Sequence, residues 1–203
     1  VYPSYELQAS CQAGIDGGCL VRISSELVER LDREEAIFVI GHEIGHFLLG
    51  HGASVHEPEQ PSVETLMVSR RQEISADRLG LVACNSLDAA IWALLKIFSG
   101  LSRSQLKFDV GEFIAQIGSD ENEQQSDGST DTHPSITLRS RALLWFSIER
   151  SRERVSVGQL SERDGVIDNQ IRADFRRYED GDAQSAVEEA EADVRLWVIA
   201  TVI

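Results

Sequence analysis

The sequence predicts an α+β fold that is mainly helical, with a small sheet near the N-terminus. Three observations predict it. Long segments carry apolar residues at helical spacing and end in capping residues. Two short strand-like runs flank a glycine-rich stretch close to the N-terminus. The chain of 203 residues is 42% apolar and 26% charged, a balance that suits one folded domain with room for a small appendage.

The elements follow in order. Residues 5–10 and 19–23 read as strands around the turn Gly14-Ile15-Asp16-Gly17-Gly18. Ser24 and Ser25 open a short helix that runs to about residue 31. Asp32 is a good N-cap for the next helix, and Glu35 stands three residues on, where a capping-box partner belongs. That helix carries Ala36, Ile37, Phe38, Val39, Ile40, Ile44, Phe47 and Leu48, so it is expected to be the central buried helix, ended by Gly50 and Gly52. Residues 51–61, with two prolines, read as a loop, and a helix over about 63–83 follows. Ser86 caps another helix over 87–98, closed by Gly100. A short helix is expected over 109–117, then a polar surface loop over 118–131 that is open to autolysis. His133-Pro134 begins an ordered stretch and a helix to about residue 150. From 151 on the chain is charged and mostly helical, with a break at 179–182.

Composition excludes several classes. A formal net charge of -15 repels phosphate, which argues against nucleic acid and anionic lipid as partners. No stretch reaches the roughly 20 apolar residues that span a bilayer; the closest, residues 196–203, runs into the chain end. No signal peptide is visible, and Val1 rather than Met opens a chain read as a possible fragment of a longer protein. Cys11, Cys19 and Cys84 form no disulfide framework and no zinc-finger spacing. They predict reduced thiols and a cytoplasmic protein, with a Cys11–Cys19 bridge as the minor alternative.

The chemistry lies in the helix after Asp32. His42-Glu43-Ile44-Gly45-His46 puts two imidazoles at i and i+4, on one face, where both can bind one zinc ion. Glu43 is offset by about 100° around the helix. It is poorly aimed for ligation but well aimed to take a proton from a water beside the metal. HExxH also arises by chance. Here, in the most apolar helix, two histidines and a glutamate without a metal would be costly to bury.

A third ligand has several candidates. Leu49 and Gly52 stand where the metzincin pattern requires Gly and His, which excludes that class. His51 lies too far round the helix to share the face, and is read as interacting with the carbonyls at the helix end. His56 falls in a loop and is read as exposed. Glu73 and Asp77 share a face of the following helix. Glu73 can ligate while Asp77 accepts an imidazole N–H from His42; taken alone, both could equally pair with Arg70, Arg71 or Arg78 on a solvent face.

These segments, with Glu73-Ile74-Ser75-Ala76-Asp77-Arg78-Leu79-Gly80 and Thr132-His133-Pro134-Ser135 followed by Arg139 and Arg141, resemble the gluzincin family of the HtpX heat-shock protease and the CaaX prenyl endoprotease. The match covers roughly residues 21–144. The resemblance implies a zincin-like fold whose HExxH helix is the active-site helix. It implies one Zn2+ per chain on His42, His46 and Glu73, with Asp77 behind them, and Glu43 as base. His133 would stabilise the oxyanion and Arg139, in preference to Arg141, would assist. The strand over 19–23 would be an edge that takes extended peptide. The best-known members are embedded in membranes by several helices; none is visible here, so prenylated substrates do not carry over.

The reading is therefore a zinc endopeptidase acting on extended protein or peptide segments, with residues 1–150 as catalytic domain and 151–203 as a helical extension packed on it or mediating interactions. The rival reading is a metal-bound but latent or proteolytically silent interaction module, which would have no use for Glu43. Specificity and oligomeric state are not encoded in any motif.

Overall fold

The structure is a computed structural model that describes residues 1–14, 17–51, 62–119, 133–152 and 157–175. His56, nearly all of the expected loop over 118–131, the break at 179–182 and the apolar end over 196–203 lie outside the described residues. The elements are β1 (Ala9–Ala13), β2 (Cys19–Ile23), α1 (Ser25–Arg30), α2 (Arg33–Leu48), α3 (Val63–Cys84), α4 (Leu87–Ser99), α5 (Val110–Ser119), α6 (Ile136–Arg150) and α7 (Val157–Asp174). The fold is mainly helical with one two-stranded sheet, as expected. It forms two compact units, one from Val1–His56 and Ile74–Leu106, the other from Glu57–Glu73 and Lys107–Ile203. Helix α3 runs unbroken through residue 73, where one unit gives way to the other.

Capping residues set most helix ends. Ser24, Ser86 and Ser135 each accept, through the side-chain oxygen, the backbone N–H three residues on. Glu35 Oε2 accepts the Asp32 N–H at 2.7 Å, closing the expected capping box. Gly50 (φ +70°) and Gly100 (φ +69°) take the left-handed conformation that ends α2 and α4.

In the first unit, β1 and β2 pair antiparallel from Ala9↔Ile23 to Ala13↔Cys19. The first strand thus lies later than the expected 5–10. The hairpin turn sets the register, with Gly14 N–H bonded to Gly18 O at 2.8 Å. Residues 5–7 lie beyond the far end of β2, and Tyr5 is fully exposed. The strands also correct the expectation of reduced thiols at two positions. Cys11 and Cys19 form a disulfide, their Cα atoms 6.4 Å apart across the hairpin, and Cys84 takes no part in it. Spacing alone could not reveal this, because hairpin register brings the two cysteines within bridging reach.

Helix α2 packs on both strands and on α4. The most completely covered helix among the described residues is α4, not α2 as expected: Ala89 to Lys96 are all buried. Each large side chain covered there contributes about 1.5–3 kcal/mol. Helix α2 buries Phe38 and Val39 but leaves Ile37, Ile40 and Ile44 half-buried and Leu48 exposed. A helix that carries the half-buried polar residues His42, Glu43 and His46 leaves part of its circumference open.

Buried Lys96 on α4 binds the start of α2. Its Nζ donates to Glu35 Oε2 at 2.6 Å and to Arg30 O at 2.9 Å. In the second unit, α5 and α7 pack on α6, and Phe113, Leu143, Trp145, Ile171 and Phe175 are buried. Arg70 of α3 is fully buried, with Nη1 2.6 Å from Asp174 Oδ2 and its guanidinium over the Phe175 ring. No helix among the described residues is long and apolar enough to cross a membrane.

Candidate metal centre

Glycines let α2 and α3 approach closely. A methyl group at Gly41 would lie 2.6 Å from Ala83 Cβ, and one at Gly80 would lie 2.7 Å from Phe38 O. At Gly45, inside the HExxH segment, it would lie 3.2 Å from Ala76 Cα. The two helices therefore meet backbone to backbone, at a distance that larger side chains would forbid. Gly45 and Gly80 thus matter for spacing the helices, a role that motif reading does not disclose.

Helix α2 carries His42-Glu43-Ile44-Gly45-His46 on its third and fourth turns. His42 Nε2 and His46 Nε2 converge to 3.0 Å, with their rings edge-on at 72°. On α3, Glu73 and Asp77 stand one turn apart and both are buried. Ligand atoms of His42, His46 and Glu73 all lie within 4.8 Å of one another.

Asp77 Oδ1 lies 2.9 Å from His42 Nδ1. A carboxylate only accepts, so the Nδ1 proton points to Asp77 and the Nε2 lone pair points to His46. Two imidazole nitrogens and a carboxylate oxygen, gathered with a carboxylate behind one ring, are the donor set that catalytic zinc takes. The residues present fit such an ion.

The remaining residues fall as follows. Glu43 is half-buried on α2. In the second unit, His133 Nε2 and Arg139 Nη2 each lie 3.6 Å from Glu73 Oε2, with His133 largely exposed and Arg139 mostly covered. Arg141 is buried on α6. Among the arginines weighed as partners for Glu73 and Asp77, Arg70 binds Asp174 and Arg71 binds Asp168 at 2.8 Å.

His51 corrects an expectation. Its side chain meets His46 of α2: the two Nδ1 atoms are 3.1 Å apart. The reason is the turn at Gly50. The Gly50 N–H bonds Phe47 O at 3.2 Å and the His51 N–H bonds His46 O at 2.8 Å. This is a Schellman closure, which folds the chain back over the last helical turn. Counting residues around a continued helix misses it; the left-handed glycine was the available signal.

The sequence model of peptidase family M48 matches residues 12–60 and 59–145. Both the HExxH segment and the helix bearing Glu73 and Asp77 fall within it, as do His133 and Arg139. No curated protein and no solved structure matches the chain. With the match running over residues 12 to 145 of the 203, the chain belongs to peptidase family M48, the metal-dependent peptidase family of the HtpX and CaaX proteases.

Proposed function

We propose that the chain is a zinc-dependent endopeptidase with a zincin-like catalytic domain, in which α2 is the active-site helix. His42, His46 and Glu73 hold one zinc ion, and Glu43 is the general base. The observation that carries the reading is the gathering of three ligand atoms within 4.8 Å, with Asp77 bonded to the outer nitrogen of His42. Family membership supports metallopeptidase chemistry on proteins or peptides.

When bound, zinc supplies Lewis acidity, lowering the pKa of a water and polarising the scissile carbonyl. The chain's own residues do the rest. Glu43, about 100° round the helix from His42, takes the proton of the attacking water and returns it to the leaving amine. His133 and Arg139 donate hydrogen bonds to the carbonyl oxygen as negative charge develops on it. Both sit at the carboxylate of Glu73, which supports this role. Asp77 holds the ring of His42 in one tautomer and orientation.

The substrate in this reading is an extended segment that adds to the edge at β2 through backbone hydrogen bonds. The catalytic domain in this reading is residues 1–150, and 151–203 is an extension that packs on it or mediates interactions. The bonds from Arg70 and Arg71 to α7 support the packed arrangement.

The test is cleavage of casein or a quenched peptide by purified protein with its metal quantified, beside Glu43→Gln. One zinc per chain, with activity lost and metal retained in the variant, is the expected result. One zinc without cleavage by either protein would favour a latent or interaction role. No bound metal after zinc is supplied would overturn the reading.

A further inference from the structure

We infer that His51 is the positioning residue for His46: its Nδ1 accepts the Nδ1–H of His46 and so directs the Nε2 lone pair of His46 at the metal. The inference rests on the metal-site reading above and adds a residue to it.

A neutral imidazole carries one N–H and one lone pair, and a ring that ligates through Nε2 must carry its proton on Nδ1. That proton needs an acceptor when the ring is partly covered. For His42 the acceptor is Asp77, 2.9 Å away. For His46 the structure supplies His51, whose Nδ1 is 3.1 Å from His46 Nδ1. The two rings stand edge-on, centroids 5.0 Å apart and planes at 71°. That arrangement lets an in-plane N–H of one ring reach an in-plane lone pair of the other. His51 then carries its own proton on Nε2.

The contact is built in by the backbone. Gly50 at φ +70° turns the chain, and the His51 N–H closes on His46 O at 2.8 Å. The donor of that bond and the ring that meets His46 belong to one residue, so a single turn fixes both.

The choice of a neutral acceptor has a chemical consequence. Glu73 and Asp77 already bring two carboxylates to a divalent ion. A third carboxylate behind His46 would further offset the positive charge on which Lewis acidity depends. An imidazole orients His46 without adding negative charge.

The experiment uses the full chain, with zinc affinity read by competition against a chromogenic chelator. Wild type is compared with His51→Ala, which removes the acceptor, and His51→Asn, whose Oδ1 occupies the place of Nδ1. The inference expects His51→Ala to weaken zinc binding by about 10–100-fold, with unfolding of the zinc-free protein unchanged. It expects His51→Asn to recover most of the loss. In zinc-loaded wild type, nitrogen NMR should show His51 protonated on Nε2 and not on Nδ1. Unchanged zinc affinity in His51→Ala, or His51→Asn as weak as His51→Ala, or a proton on Nδ1 of His51, would each overturn the role of His51 while leaving the endopeptidase reading standing. A wild-type chain that binds no zinc would overturn both.

Discussion

Asp77 Oδ1 sits 2.9 Å from His42 Nδ1 although the two residues are 35 positions apart, and the Asp77 side chain is almost wholly covered. A buried carboxylate this close to an imidazole N–H leaves the ring one orientation. Asp77→Ala would strand that N–H, at a cost of about 1–3 kcal/mol. It is expected to weaken zinc binding by about 10–100-fold. Asp77→Asn, which keeps an acceptor oxygen but not the charge, should fall between. Chelator competition on the three proteins measures this, and equal affinities would remove Asp77 from the site.

Gly80 decides how close α3 comes to α2. In Gly80→Ala the new methyl would stand 2.7 Å from Phe38 O and 2.9 Å from the Phe38 ring. Alanine favours a helix over glycine by about 0.8–1 kcal/mol. Overpacking against a backbone oxygen costs about 1–3 kcal/mol, so the clash wins and the helices separate. The variant is expected to melt lower by a few degrees and to bind zinc more weakly. Gly45→Ala, whose nearest neighbour is 3.2 Å away, should be milder in both respects. A Gly80→Ala protein as stable as wild type with the same zinc affinity would contradict this account.

Lys96 and Glu35 form a buried ion pair that anchors the start of the HExxH helix to α4. Lys96→Met leaves the Glu35 carboxylate covered without its cation, which costs about 3–5 kcal/mol. The double variant Glu35→Gln/Lys96→Met removes the charge but keeps an acceptor for the Asp32 N–H. It should regain most of the loss. Urea unfolding of the single and double variants tests the coupling; two losses that simply add would show that the pair does not act as a unit.

Much of the fold was legible because it is local. Asp32 with Glu35, Ser86 with Gly100, and Gly50 mark helix ends through hydrogen bonds spanning three to five residues, and those bonds form where the sequence places their partners. The helix faces of the candidate site were legible for the same reason: His42 with His46, and Glu73 with Asp77, stand one turn apart through the helical repeat. The strand at 9–13 was misjudged because register depends on the partner strand and the turn between them.

The sequence by itself determined a mainly helical α+β chain of the M48 family, with an HExxH segment on one helix and a Glu-and-Asp face on the next. Only the tertiary structure decided that α4 is the most covered helix, that Cys11 bonds Cys19, that Lys96 reaches Glu35 across 61 positions, and that His51 turns back onto His46. The physical reason is the range of the interactions. Capping and helical periodicity are set by neighbours in the chain. Burial, ion pairing and ring contacts depend on which surfaces come together, as where Gly41, Gly45 and Gly80 admit α3 against α2.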